Sequence, residues 1–356
     1  MDPEVDLDAM GLIRYWGYPG EEHEVVTKDG VGLLLHRIPH GRQEEGNARK
    51  GRKPLVFMQH GLECSSTNWL VNLPNESAAF IFADAGFDVW LGNFRGNFYS
   101  NRSLSPGMAE AEFWDFSWDE MALYDLPAML DYALAATGEE SLWYIGHSEG
   151  TMTPFALTAS THDYDHKIKA IFALGPVASL NHVKGLLAFI SKFKGIYSVL
   201  AKILGMNEFL PETWYTRLAA KTVCTLPVTN RYICENIFFL IAGQDLTGLN
   251  STRMPGVTSS GFRKYDYGSE YQNWLHYKSL KPPAYDLKQV AVPVYLFYGS
   301  KDPLANPTDI QDTILPNIPT IRGKWEVDMN HLDFIWGLNA ADEVYAKILK
   351  IIQKEM

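Results

Sequence analysis

The sequence predicts an α/β fold: a mostly parallel central sheet flanked by helices, with an inserted helical cap. Three observations lead there. Short apolar runs alternate with helical stretches, the rhythm of a parallel sheet wrapped by helices. Each run stops at a glycine-containing loop, and in open α/β sheets the ligand site lies beyond the carboxyl ends of the strands. The rhythm breaks over residues 181–283, where helical periodicity and aromatics take over, and strands resume at Val290. A chain of 356 residues suits one large domain with an insertion better than two independent folds. The expected division is a core of residues 1–180 and 284–356 and a cap of 181–283.

The elements follow in order. Residues 23–27 and 32–38 read as a hairpin, because Lys28-Asp29-Gly30 supplies the Asp-Gly turn whose twist matches paired strands. A basic, polar loop covers residues 41–53. Leu55–Gln59 is a short apolar strand ending at His60-Gly61, and residues 87–91 form another ending at Gly92-Asn93. Residues 142–145 end at Gly146-His147-Ser148, Ile168–Leu174 at Gly175-Pro176, and residues 292–298 at Gly299. Residues 151–160 read as a helix with Pro154 in its first turns, residues 325–327 as a late strand, and residues 340–354 as an amphipathic closing helix.

Composition removes several function classes. Hydrophobic residues make up 46% and charged residues 21%, enough to bury a core and too apolar for disorder. A formal net charge of -11 repels a phosphate backbone, so nucleic acid is not the expected partner. The 13% of aromatics serve apolar ligand pockets as well as core. No run of 18 apolar residues exists, so no transmembrane segment is expected. The acidic start Met1-Asp2-Pro3-Glu4-Val5-Asp6 is the opposite of a signal peptide's basic beginning; the chain is either a mature form or not secreted. Asn75, Asn101 and Asn250 head glycosylation sequons, whereas Asn306 precedes Pro307 and does not count. The three cysteines, Cys64, Cys224 and Cys234, match no zinc spacing. Cys224 and Cys234 are spaced either for one local bridge or as thiols of a reducing compartment.

The chemistry concentrates at Gly146-His147-Ser148-Glu149-Gly150, a G-x-S-x-G pattern between a strand and a helix. A nucleophilic serine must stand on a sharp turn above the sheet, and the flanking glycines avoid clashes where strand and helix nearly touch. The helix behind Ser148 aims backbone N–H groups at a developing oxyanion. Such a serine needs a base, and the base an orienting acid, in the chain order Ser, acid, His. His331 follows the late strand and lies level with Ser148; Asp302 follows Gly299-Ser300-Lys301. His162 and His166 read as surface residues and His276 as part of the cap. Asp309, Asp312 and Asp333 fall on or near helices. The second oxyanion donor belongs in His60-Gly61-Leu62, which makes the Leu62 and Glu149 N–H groups the candidates and gives His60 a shaping part. No metal or organic cofactor is required.

At these residues the chain resembles the acid lipase family of gastric and lysosomal lipases, built on the α/β-hydrolase fold. The resemblance rests on Tyr15-Trp16-Gly17-Tyr18-Pro19, Gln59-His60-Gly61-Leu62, Thr67-Asn68-Trp69, residues 83–93, Arg95-Gly96-Asn97, Tyr124-Asp125-Leu126-Pro127, Gly146-His147-Ser148 and residues 330–337. It implies a capped lipase or steryl-ester hydrolase acting on lipid esters at a lipid–water interface, secreted or lysosomal. It implies Ser148, Asp302 and His331 as the triad, Leu62 and Glu149 at the oxyanion hole, and a Cys224–Cys234 bridge. Two departures carry expectations. The family usually has Gln where this chain has Glu149; a carboxylate there opposes a forming oxyanion unless protonated or turned away, so activity is expected to move to acid pH. Residues 252–268 are shorter than the family's cap at that point, which bears on substrate size. Residues 182–204 put Lys184, Lys192, Lys194 and Lys202 on one helical arc and apolar side chains on the other, either a lipid-docking surface or a cap helix burying its apolar face. Trp214, Tyr215, Trp274 and Tyr277 line an acyl tunnel or pack the cap. Two other functions compete with the lipase: a carboxylesterase or acyltransferase for smaller acyl esters, and a non-catalytic lipid-binding protein on the same fold.

Overall fold

The computed structural model describes residues 4, 7–44, 52–182 and 262–356. Among the described residues, nine strands form one open sheet: β1 Glu21–Val26, β2 Val31–Ile38, β3 Leu55–Gln59, β4 Asp88–Gly92, β5 Arg102–Ser103, β6 Leu142–His147, β7 Ile168–Leu174, β8 Val294–Gly299 and β9 Ile321–Val327. Their order is β1-β2-β4-β3-β6-β7-β8-β9, with β5 added on β2. From β4 to β9 every pair is parallel; β2 alone runs against β1, β4 and β5. The β1–β2 hairpin turns at the expected Asp-Gly, with Val26 paired to Gly32.

The strands have period-two chemistry, so alternate side chains feed two separate cores. Phe57, Trp90, Tyr144, Ile171 and Leu296 face one side, against the helices Leu126–Thr137 and Glu149–Ser160. Val56, Met58, Ile145, Phe172 and Phe297 face the other, against Ala9–Tyr15, Ala78–Asp84 and Ala346–Glu355. The inner strands β3, β4 and β6 are buried at every position, which is why they read as unbroken apolar runs.

Several boundaries differ from the sequence reading. β9 begins at Ile321, because Arg322, Lys324 and Glu326 alternate outward from inward Gly323 and Trp325; it is an edge strand with one wet face, and its charges hid it. The helix behind Ser148 begins at Glu149, so Pro154 lies well inside it. Proline cannot donate to the carbonyl four residues back. The Tyr144 hydroxyl takes that place, donating to the Gly150 carbonyl at 2.7 Å. The helix Ala9–Tyr15, capped by Asp8, had no counterpart in the sequence reading.

A buried cation fastens the loop after β4. Arg95 is 3% exposed and donates to both oxygens of Asp125, from its backbone N–H and its Nε, and to both oxygens of Asp29. One side chain thus ties the β1–β2 turn to the helical segment before Leu126. Residues 183–261, most of the expected cap with Cys224, Cys234, Asn250, Trp214 and Tyr215, lie outside the described residues. Asn75 and Asn101 are exposed. Among the described residues no helix is long and apolar enough to cross a membrane.

Candidate active site

The register of the sheet brings the site together. Gln59 pairs with Gly146, His147 with Leu174, Leu174 with Phe297, and Gly299 with Val327. β3, β6, β7, β8 and β9 therefore end on one rim, and the loops that leave them meet there. Ser148 leaves β6, Asp302 follows β8 and His331 follows β9.

Ser148 stands at φ 55°, ψ -118°, a strained position for a residue with a side chain. Its N–H is held by the Leu174 carbonyl at 3.0 Å, and its hydroxyl points off the sheet. Ser148 Oγ lies 2.7 Å from His331 Nε2, and His331 Nδ1 lies 2.7 Å from Asp302 Oδ2. The Leu304 and Ala305 N–H groups both donate to Asp302 Oδ1 at 2.8 Å. Asp302 is 3% exposed. Burial alone would raise its carboxyl; His331 and the two N–H groups outweigh burial and hold it below the usual carboxylate range. An ionised Asp302 only accepts, so Nδ1 carries the imidazole proton and Nε2 is left to accept from Ser148.

Three further residues support the triad; the parts of His147 and Gly175 were invisible to sequence reasoning. His147 is buried, and its Nε2–H donates to the His331 carbonyl at 2.9 Å, fixing the backbone of the base. Burial, and then the proximity of His331, push His147 down to about 3, so it stays neutral. Gly175, at φ 55°, lies behind the pair: a Cβ there would stand 3.1 Å from His331 Nδ1 and 3.4 Å from Asp302 Oδ2. His60 is buried, donates from Nδ1 to the Gly61 carbonyl at 2.8 Å and accepts the Phe94 N–H at 3.2 Å. It shapes the loop as expected. Of the other histidines, His162 and His276 are exposed, and His276 stacks on Tyr267.

Beyond β3, Gly61 to Cys64 form a turn closed by the Cys64 N–H on the Gly61 carbonyl at 3.2 Å. The turn presses on the nucleophile: a Cβ at Gly61 would lie 2.8 Å from Ser148 Cβ. Leu62 occupies its first central position. Glu149 opens the helix after Ser148, so its N–H is one of the donors without an intrahelical acceptor. Glu149 is 6% exposed, and burial pushes its carboxyl up to about 7. Glu63, the second central residue of the turn, is pushed up to about 8 by burial and then by the charge of Glu149. Burial therefore favours the protonated form of the Glu149 carboxyl in acid. Cys64 is buried. Among the described residues no cluster of His, Cys, Asp and Glu is placed to hold a metal ion.

Comparison with known proteins identifies the family. Two family models match: a partial alpha/beta-hydrolase lipase region over residues 10–73, and the alpha/beta hydrolase fold over residues 54–195. Lipase lipl-1 of Caenorhabditis elegans is 44% identical, over 100% of this chain and 93% of the relative. Human gastric triacylglycerol lipase is 41% identical over 99% of this chain and 92% of its own. Human lysosomal acid lipase/cholesteryl ester hydrolase is 37% identical with the same coverage, 99% and 92%. Among solved structures, DcsB in complex with its substrate analogue gives a TM-score of 0.57 at 16% identity, over 95% of this chain and 100% of that one. A thermophilic esterase from Thermogutta terrifontis gives 0.52 at 15% identity, over 94% and 98%. The solved structures share the fold, and the full-length sequence relatives show that the chain belongs to the acid lipase family of α/β hydrolases.

Proposed function

We propose that this chain hydrolyses carboxylic esters of lipids, triacylglycerols or steryl esters, by two-step acyl transfer on Ser148. The observation that carries the reading is the unbroken hydrogen-bond chain from Ser148 through His331 to Asp302, 2.7 Å at each link. His331 Nε2 takes the hydroxyl proton as Ser148 Oγ attacks the ester carbonyl carbon, and the carbonyl oxygen becomes an oxyanion. The Leu62 and Glu149 N–H groups receive that oxyanion. Nε2 then returns the proton to the departing alcohol, leaving an acyl-Ser148. Water, deprotonated by His331, attacks the acyl carbon; the fatty acid leaves and Ser148 regains its proton. Asp302 holds the imidazole tautomer and stabilises its charged form throughout.

The lipid class is supported by the relatives' names, gastric triacylglycerol lipase and lysosomal acid lipase/cholesteryl ester hydrolase, and the same names support a secreted or lysosomal location. Residues 181–283 are the cap in this reading, which their place in the chain between β7 and β8 supports. The test is hydrolysis of short- and long-chain triacylglycerols and a cholesteryl ester between pH 4 and pH 8, beside Ser148→Ala. Long-chain turnover lost in the variant is the expected result. Turnover of short, soluble esters only would replace the lipase by a carboxylesterase, and no turnover would leave a lipid-binding protein.

A further inference from the structure

Glu63 is not used by the reaction above, and its surroundings are unusual. It sits at φ 56°, in the left-handed region, at the second central position of the Gly61–Cys64 turn, where glycine or asparagine ordinarily serves. The residue as a whole is half-buried, yet both carboxyl oxygens are sealed from water and neither has a hydrogen-bond partner among the described residues. A charged carboxylate does not stay in such a place; the proton stays instead. Glu149 lies close enough for its charge to act on Glu63, and it too is buried with no ion pair to it among the described residues.

Among the described residues, the groups that the neighbouring elements bring are neutral or already paired. The end of β3 brings His60, and the end of β6 brings His147, both kept neutral by burial. The loop after β4 reaches the turn through Asn97, whose Nδ2 donates to the Cys64 carbonyl at 3.4 Å; its cation, Arg95, is committed to Asp29 and Asp125. Asp302 and His331 are committed to each other. A helix N-terminus favours an anion, but burial outweighs it at Glu149, whose carboxyl is held up rather than down.

Resting on the reading of Ser148 as nucleophile, we propose that Glu63 and Glu149 form a buried carboxyl pair that permits catalysis only when both are neutral, so that the pair sets the alkaline limit of ester hydrolysis. Leu62 and Glu149, the two residues offered as oxyanion donors, are the immediate neighbours of Glu63 and Ser148. Loss of the first proton puts a negative charge beside the forming oxyanion; loss of the second adds another. Either charge raises the transition state more than the neutral ester, so kcat falls while KM stays. Glu63 is a positioning residue here: it touches no reacting atom and acts through the turn and through Glu149.

The experiment follows kcat and KM for p-nitrophenyl butyrate from pH 4.5 to pH 9 in the full chain, Glu63→Gln, Glu149→Gln and the double variant. Ser148 labelling by a fluorophosphonate at pH 5.5 is read beside it. Each variant is compared with itself across pH. With limits near those of the two carboxyls, kcat of the unsubstituted chain falls about 10²-fold from pH 5.5 to pH 8.5. Log kcat approaches a slope of two; each single variant keeps a slope of one, and the double variant is flat. A double variant that falls as steeply as the unsubstituted chain overturns the pair. Absence of both labelling and turnover at pH 5.5 overturns the nucleophile, and the pair with it. Labelling with an unchanged alkaline fall overturns the pair alone.

Discussion

Asp302→Asn tests the logic of the site with the smallest change of shape. Two backbone donors, Leu304 and Ala305, both point at Oδ1 at 2.8 Å. The new amide satisfies them only by presenting its oxygen there. Its NH2 then faces His331 Nδ1, where the carboxylate oxygen now sits at 2.7 Å. Two donors cannot share that contact, so Nδ1 must give up its proton and accept. The proton moves to Nε2, which then points a hydrogen at Ser148 and can no longer take one. A flipped amide restores the tautomer but sets its NH2 against two N–H groups. The charge-assisted bond that favoured the working tautomer is worth about 1.5–3 kcal/mol, and the neutral bond favouring the wrong one about 1 kcal/mol. Loss of the counter-charge to the imidazolium adds roughly 1–2 kcal/mol once screened. The sum, about 4–6 kcal/mol, corresponds to about 10³–10⁴ in kcat, in line with the roughly 10⁴ that this substitution costs in serine-protease triads. The assay is kcat and KM on a soluble ester, with the urea midpoint as a check on folding. A loss below about tenfold with an unchanged midpoint would refute the reasoning, because it would mean that Asp302 does not set the tautomer.

Other expectations follow from the same contacts. Arg95→Ala leaves the fully buried Asp125 without its cation and should cost about 3–5 kcal/mol of stability, read as a lower urea midpoint at unchanged m-value; a loss under about 1 kcal/mol would make the cluster incidental. Glu63 and Glu149 are held above their ordinary 4.5, so the folded chain binds their protons more tightly than the unfolded one. Their contribution is complete below about pH 4.5 and declines as pH rises towards 7 and 8. For Glu149 alone the difference amounts to about 3 kcal/mol, so the gap in unfolding free energy between pH 5 and pH 8 should shrink in Glu149→Gln; an equal gap in both proteins speaks against a buried proton there. Gly175→Ala forces a Cβ to 3.1 Å from the His331 ring at a left-handed backbone position. It should lower kcat by about tenfold or more, since displacement of the base by a fraction of an ångström is felt directly, and an unaffected kcat would show that the ring can shift without cost.

Much of this molecule was open to reading from residues alone, because the signals are local. The apolar runs of β3, β6 and β7, the Asp-Gly turn before β2 and the elbow around Ser148 each lie within a few neighbouring residues, where period, turn chemistry and glycine spacing act directly. Chain order and strand ends were enough to select Asp302 and His331 from several candidates. What sequence could not supply depends on contacts between distant residues. The first half of β9 became legible only beside β8, since its outward charges mask a strand whose inner face packs Trp325 on Phe297. His147 acquires its partner 184 positions away. Gly175 matters because of what crosses behind it, and Glu63 because the packed turn buries its carboxyl oxygens. Sequence alone determined which groups stand at the ends of strands; only the tertiary structure decided which of them share a proton, because burial and the removal of water are properties of the packed chain and of no single segment.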